Sequence, residues 1–426
     1  MQNTKEIIAA IQKGDYDERL KDIYVDPKLL PYQRNRYVKA LEKFEELYGE
    51  KQVEIYSAPG RSEVGGNHTD HQRGNVFACA LNVDVIAVAA KTEDNVIRIV
   101  SDDYNIKDIS LLDLAVREDE INSSEALIRG VAKRLADEGY KTGGFCAYMT
   151  SDVLRGSGMS SSAAFEVVLG DIFSGIYNDM KISDVFIAQA SQYAENVYFG
   201  KPCGLMDQMS SSVGSLVNID FKDPAVPVIN KVEIDFSKYG HILCIVDTKG
   251  SHADLTPEYA AIPPEMKAVA AFFGKEVLRE VDEAEFYEKI PEIRKKTGDR
   301  AIVRAIHFFD DNRYAVAEAD ALKKGDFEEF IRNVRLSGDS SYKFLQNVYP
   351  VCDIQSQGTS IALALSKKVL KDRGAARIHG GGFAGTIQAF VPTDLVDEYK
   401  AEMDRVFGEG SCQMLQVRKY GGIRVL

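Results

Sequence analysis

Four short stretches of the sequence concentrate the residue types that chemistry needs. The first, from Ser57 to Gly74, reads SAPGRSEVGGNHTDHQRG and packs four glycines, two histidines, two arginines and two carboxylates into eighteen residues. A segment that only had to turn would not carry so many charged side chains, so the reading is a polar site, with a solvated loop as the plain alternative. His68, Asp70 and His71 suggest a metal, but no third ligand of matching softness follows at a zinc spacing. The second stretch, LRGSGMSSSAAFE from Leu154 to Glu166, sets glycines and serines before a strongly helical run. Free backbone N–H groups converge at such a helix start, which makes an anion cradle; a Gly-Ser turn capped by Ser162 is the alternative. It is neither GxxxxGK[ST] nor a GxGxxG followed by a ribose-reading acid. In the third, AENVYFGKPCGLMDQM from Ala194 to Met209, a helix bearing Glu195 ends at Gly200, and Asp207 follows among Leu205, Met206 and Met209. A carboxylate in apolar company must be paired, neutral or functional, unless it simply caps a helix. The fourth, RIHGGGFAGTI from Arg377 to Ile387, holds three consecutive glycines where backbone passes close to a neighbour or forms a hairpin.

The elements that must position these stretches read as mixed α and β. Apolar spacing predicts helices over 4–13 and 33–48, the latter with Tyr37, Leu41, Phe44 and Leu47 on one face and a stop at Tyr48-Gly49. Strands are expected over 53–57, 83–91, 96–101 and 144–150, and helices over 124–138, 161–176 and 183–198. Prolines 224 and 227 interrupt the pattern just after 220; a β-rich stretch at 241–247, a charged helical region over 258–334 and a closing mixed segment follow. The expectation is an α+β fold of two domains, 1–220 and 221–426.

Composition sets the outer limits. The 426 residues carry 52 Lys and Arg against 65 Asp and Glu, a net charge of −13, with 45% hydrophobic and 27% charged residues. That is a globular profile with no basic footprint for nucleic acid, so an anionic ligand must be held by a local cradle. The six cysteines (79, 146, 203, 244, 352 and 412) are far apart and form no CxxC pair, which predicts reduced thiols. The first residues lack the pattern of a secretion signal, and the apolar runs fall short of the roughly 20 residues that cross a membrane. A cytoplasmic protein with no membrane or nucleic-acid partner is expected.

Taken in order, GRSEVGGNHTDH, GSGMSSSA, GLMDQ and GGGFAG resemble the GRxNxIGEHxDY, GxGLSSSA, GIMDQ and GGGFGG motifs of galactokinases, the sugar 1-kinases of the GHMP kinase superfamily. The resemblance implies an N-terminal domain like the second domain of a ribosomal S5 protein and a ferredoxin-like C-terminal domain, with ATP and a small-molecule sugar meeting between them. It implies that Gly156, Ser157, Gly158, Met159, Ser160, Ser161, Ser162 and Ala163 hold the ATP phosphates, and that Ser162 and Glu195 hold Mg²⁺. Asp207 falls on the catalytic base and Arg61 on the group that steadies it, while Asn67, His68, Asp70, Gly204 and Tyr259 fall on the sugar side. Direct transfer with no covalent enzyme intermediate follows.

The chain departs from the pattern at Glu63, Asn67 and His71, where galactokinases carry Asn, Glu and Tyr. The family acid at position 67 is thought to meet the C6 hydroxyl, and Asn67 would remove its repulsion of a C6 acid. HTDHQ is also similar to plant galacturonate kinases, so a C6-modified sugar stands as an alternative to galactose. Galactose is preferred, because a neutral amide still bonds a hydroxyl and the acidic chain offers an anionic sugar no help. The complete Ser160-Ser161-Ser162 run argues against a non-catalytic sugar sensor, and the His-x-Asp and Met-Asp-Gln elements against a mevalonate or homoserine kinase.

Overall fold

The computed structural model describes residues 2–102, 104–153, 158–250 and 255–426. Its larger sheet is built on an antiparallel pair, Gln52–Gly65 and Asn75–Lys91, almost every residue of which is buried. The two-residue period explains this. Ile86, Val88 and Ala90 pack against the N-terminal helices, while Val85, Ala87 and Ala89 point into the core on the opposite face. Thr4–Lys13 is capped by a reciprocal Asn3–Glu6 box and ends at Gly14, which has φ of +93°. Leu30–Tyr48 buries Tyr37, Leu41 and Phe44 as the spacing predicts, but Leu47 is 38% exposed. The helix Asp17–Tyr24 lies between them, in a stretch where no element is expected. Ser124–Asp137 and Ser161–Asn178 supply the opposite core face.

Phe145–Ser151 extends this sheet antiparallel to Asn75–Lys91, and Val96–Ser101 runs parallel beside it. The boundary expected at residue 220 is crossed twice. Leu216–Asp220 is followed in the same sheet by Val228–Val232, and the last strand, Ile423–Arg424, returns to pair with Gln52–Gly65. The strand expected over 53–57 runs on to Gly65 through two register irregularities, so half of the first motif is strand and not loop.

The second sheet has four antiparallel strands, His241–Asp247, Ala375–Ile378, Thr386–Pro392 and Cys412–Leu415. Numbered in chain order, they lie fourth, first, third, second, the ferredoxin-like arrangement. Gly358–Leu370 and Val396–Phe407 cover one face through a core that includes Leu370, Tyr399 and Met403. Between the sheets runs Asp299–Lys323, which packs on Asn75–Lys91. The charged pattern of 258–334 is therefore a set of helices that join the halves. Among the described residues no helix is long and apolar enough to cross a membrane.

Candidate active site

Where the two halves meet, a cavity of about 410 Å³ is lined from all four motifs. Arg61 follows the register irregularity after Pro59 in its strand, and its N–H donates to the Met159 carbonyl at 3.1 Å, which joins the first motif to the second. The guanidinium is 3% exposed and grips Asp207 with two parallel bonds, Nε to Oδ1 and Nη2 to Oδ2, each 2.7 Å. Its Nη1 donates to the Gly158 carbonyl. Asp207 is the second residue of Met206–Val213, and its side chain keeps 31% of its surface open, enough for a ligand to reach it. Burial pushes the Asp207 carboxyl up. The Arg61 charge and the hydrogen bonds from Arg61 and Ser160 outweigh that and hold it below its ordinary value. It is therefore ionised at neutral pH.

Ser160 stands before the helix Ser161–Asn178 in the left-handed region, with φ of +54°, and donates its hydroxyl to Asp207 instead of capping the helix. Gly158, Ser160, Ser161 and Ser162 line the cavity, whereas the side chains of Met159 and Ala163 are buried in the core, leaving only their backbone to a ligand. Gly156 and Ser157 lie outside the described residues. Ser162 Oγ lies 3.4 Å from Glu195 Oε1, at the start of the π turn Ala194–Phe199 that continues the preceding helix. The hydroxyl and carboxylate are hard oxygen donors. Among the described residues no cluster of three or more His, Cys, Asp or Glu could hold a metal ion.

Two residues here escaped the sequence reading. Lys201 Nζ sits 3.2 Å from Glu195 Oε1, and Gln208 Nε2 donates to Glu195 Oε2 at 2.7 Å. Both were in view, in Gly200-Lys201-Pro202 and Met206-Asp207-Gln208, yet nothing in their spacing shows that a chain reversal folds them back onto Glu195. Burial, and then the Glu195 carboxylate, hold the Glu166 carboxyl well above the usual range. Burial and the neighbouring carboxylates likewise push up the Cys203 thiol, which is no ready nucleophile.

On the other side of Asp207, the cavity wall contains His68, Asp70, His71, Gly204 and Tyr259. His68 Nε2 donates to the Gly381 carbonyl at 3.1 Å; burial, then His71, lowers its pKa to about 3, so the ring is neutral. Asp70 accepts the Met206 N–H at 3.3 Å and the His71 N–H at 2.9 Å. Any Cβ at position 204 would strike the Asp70 carboxylate, which explains the glycine. Tyr259 packs edge-on against Phe383, with ring centroids 5.3 Å apart, and covers Gly381. Asn67 does not join them. It has no exposed surface, does not line the cavity, and spends its amide on Glu63, Gly380 and Asn347. The cavity instead receives Glu63, two residues beyond Arg61 on the same strand.

The family model described as "Galactokinase galactose-binding signature" matches residues 42–91, and that described as "GHMP kinases N terminal domain" matches residues 126–215. A galactokinase of Actinobacillus pleuropneumoniae serotype 3 is 30% identical over 363 residues, covering 85% of this chain and 91% of the relative. One from Glaesserella parasuis serovar 5 is 30% identical over 361 residues, covering 83% and 89%. Among solved structures, Lactococcus lactis galactokinase complexed with galactose superposes with a TM-score of 0.77 at 22% identity, covering 90% of this chain and 98% of that one. Methanococcus jannaschii mevalonate kinase does so with a TM-score of 0.60 at 14% identity, covering 86% and 98%. These last two likenesses are of fold.

Proposed function

The chain belongs to the galactokinase family, and from that premise we propose that it transfers the terminal phosphoryl group of ATP to the anomeric hydroxyl of galactose, with Asp207 taking the proton. The observation that carries this is the ionised Asp207, gripped by Arg61 and partly open, between an anion cradle and a polar sugar-sized wall. The anomeric oxygen attacks the terminal phosphorus, the bond to the ADP oxygen breaks, and the hydroxyl proton passes to Asp207 Oδ. His68, Asp70, Gly204 and Tyr259 orient the sugar. The backbone at 158–163 holds the phosphates, with Gly156 and Ser157 continuing that strip by the family pattern. Ser162 and Glu195 hold Mg²⁺, with Gln208 fixing the Glu195 carboxylate from behind. The ion supplies charge neutralisation on the phosphates. Arg61 keeps the base ionised and faces the developing charge. Positioning and charge stabilisation account for the rate, without a covalent enzyme intermediate.

The case for a C6-acid substrate rested on the HTDHQ run and on Asn67 standing in the sugar wall. With Asn67 turned inward, its neutral amide opens no room for a C6 acid on the wall, where the Asp70 carboxylate disfavours an anionic sugar. ADP release with Mg-ATP, measured side by side for galactose, galacturonate, glucuronate, N-acetylgalactosamine and arabinose, tests the reading. Galactose is expected to exceed each of the others in kcat/KM by about tenfold or more, the factor that 1.4 kcal/mol supplies. A preference for either uronic acid overturns the choice of substrate, and silence on every sugar overturns the activity.

A further inference from the structure

Asn67 stands where the first motif meets the second half of the chain, and its polar atoms are all engaged. Its backbone N–H donates to Asp311 Oδ2 at 2.5 Å and its carbonyl accepts from His307 Nε2 at 2.9 Å. Its Nδ2 donates to Glu63 Oε2 at 3.0 Å and to the Gly380 carbonyl at 2.7 Å, and its Oδ1 accepts from Asn347 Nδ2 at 2.7 Å. Gly380 belongs to the glycine run of the fourth motif and lies so close to Arg61 that a Cβ on it would be 3.2 Å from Nη2. The next carbonyl, Gly381, is held by His68 at 3.1 Å and by Asn347 at 3.3 Å. Position 67 therefore sets how the glycine run lies over the guanidinium that aligns Asp207.

We propose that Asn67 is a positioning residue that pins the glycine run of the second half onto Arg61, and not a sugar contact. This rests on the reading of the chain as a galactose 1-kinase. The amide is required because Glu63 is an acid. A carboxylate at 67 could not donate to the Gly380 carbonyl and would face the Glu63 carboxylate at hydrogen-bond distance. Asn347 completes the clamp from the second half without lining the cavity.

The test measures kcat and KM of the full chain with galactose and with its 6-deoxy analogue for Asn67→Ala, Asn67→Asp and Asn347→Ala, with thermal melting alongside. Loss of a supporting contact typically costs about 10–100-fold in activity, so Asn67→Ala is expected to lose that much in kcat, equally for both sugars, with the galactose KM within about threefold of wild type. Asn347→Ala is expected to show the same split, and Asn67→Asp to lose at least as much as Asn67→Ala. A tenfold rise in galactose KM that the 6-deoxy sugar escapes overturns the proposal, as does an Asn67→Asp variant as active as wild type. If the Asn67 variants do not fold, Asn347→Ala decides alone, and an unchanged kcat there counts against the clamp. If the wild type turns over a different sugar of the panel, the substrate reading fails, and the same split measured on that sugar still decides the role of Asn67.

Discussion

Asp207→Asn is expected to lower kcat by about 10²–10⁴-fold, the range a positioned general base contributes, with KM for ATP and galactose changed little. The substitution keeps size and hydrogen-bonding shape but removes a carboxylate that is gripped by a guanidinium, kept ionised and left partly open. The same electrostatics set the pH profile. Burial raises the Asp207 pKa, but Arg61 and Ser160 bring it below its ordinary 3.8. The base is active when deprotonated, so lowering its pKa moves the acid limb of kcat further to acid. The wild type should therefore hold its kcat from about pH 8 down to about pH 5, well above the ordinary aspartate range. An acid limb centred near neutrality would mean that the titrating base is another group, and an Asp207→Asn enzyme of wild-type kcat would remove Asp207 from the chemistry altogether.

The largest stability effect is expected at Asp84, far from the chemistry. Its carboxylate is fully buried and accepts from Arg36 Nη1 at 2.6 Å, Arg418 Nη1 at 2.9 Å, the Tyr24 hydroxyl at 2.8 Å and Ser57. One side chain thus ties the N-terminal helices, the central strands and the returning C-terminal segment together. Asp84→Ala leaves the Arg418 guanidinium in the interior without its counter-charge and Arg36 with Asp152 alone, and breaking a buried pair in this way costs about 3–5 kcal/mol. Denaturant unfolding of the two proteins side by side checks it, and a loss below about 1 kcal/mol would show that the network contributes no more than an ordinary surface contact. The sign of its pH dependence follows from the lowered pKa of Asp84, in which the charges of Arg36 and Arg418 outweigh burial. Its stabilisation is fully present above the unfolded-state value of 3.8 and is lost as pH falls toward the lower folded value.

Local patterns were readable where the cause is local. The spacing of Tyr37, Leu41 and Phe44, the stop at Gly49 and the Gly-Ser start before Ser161 each place an element within a few residues. The motif residues Arg61, His68, Asp70, Gly204, Asp207 and Tyr259 come together on one cavity. What the sequence hid depends on partners hundreds of positions away. Asn67 matches a sugar-side position, and only the fold shows that Asn347 and Gly380 claim its amide. The strand expected over 53–57 stopped short of the stretch from Pro59 to Gly65, which pairing with the neighbouring strand holds extended through two irregularities. The prolines after 220 lie in the connection between two strands of one sheet. The chain turns there and adds Val228–Val232 to the same sheet before leaving it, and Ile423–Arg424 returns at the far end because a strand edge on Gln52–Gly65 remains open to it.

The most direct measurement is phosphorus NMR of the product formed from Mg-ATP and galactose labelled with carbon-13 at C1. Transfer to the anomeric hydroxyl with Asp207 as base predicts a product phosphorus coupled to C1 in the wild-type reaction, and no detectable product from Asp207→Asn in the time the wild type takes to finish. A phosphorus signal without coupling to C1, or product from the variant at the wild-type rate, would contradict it.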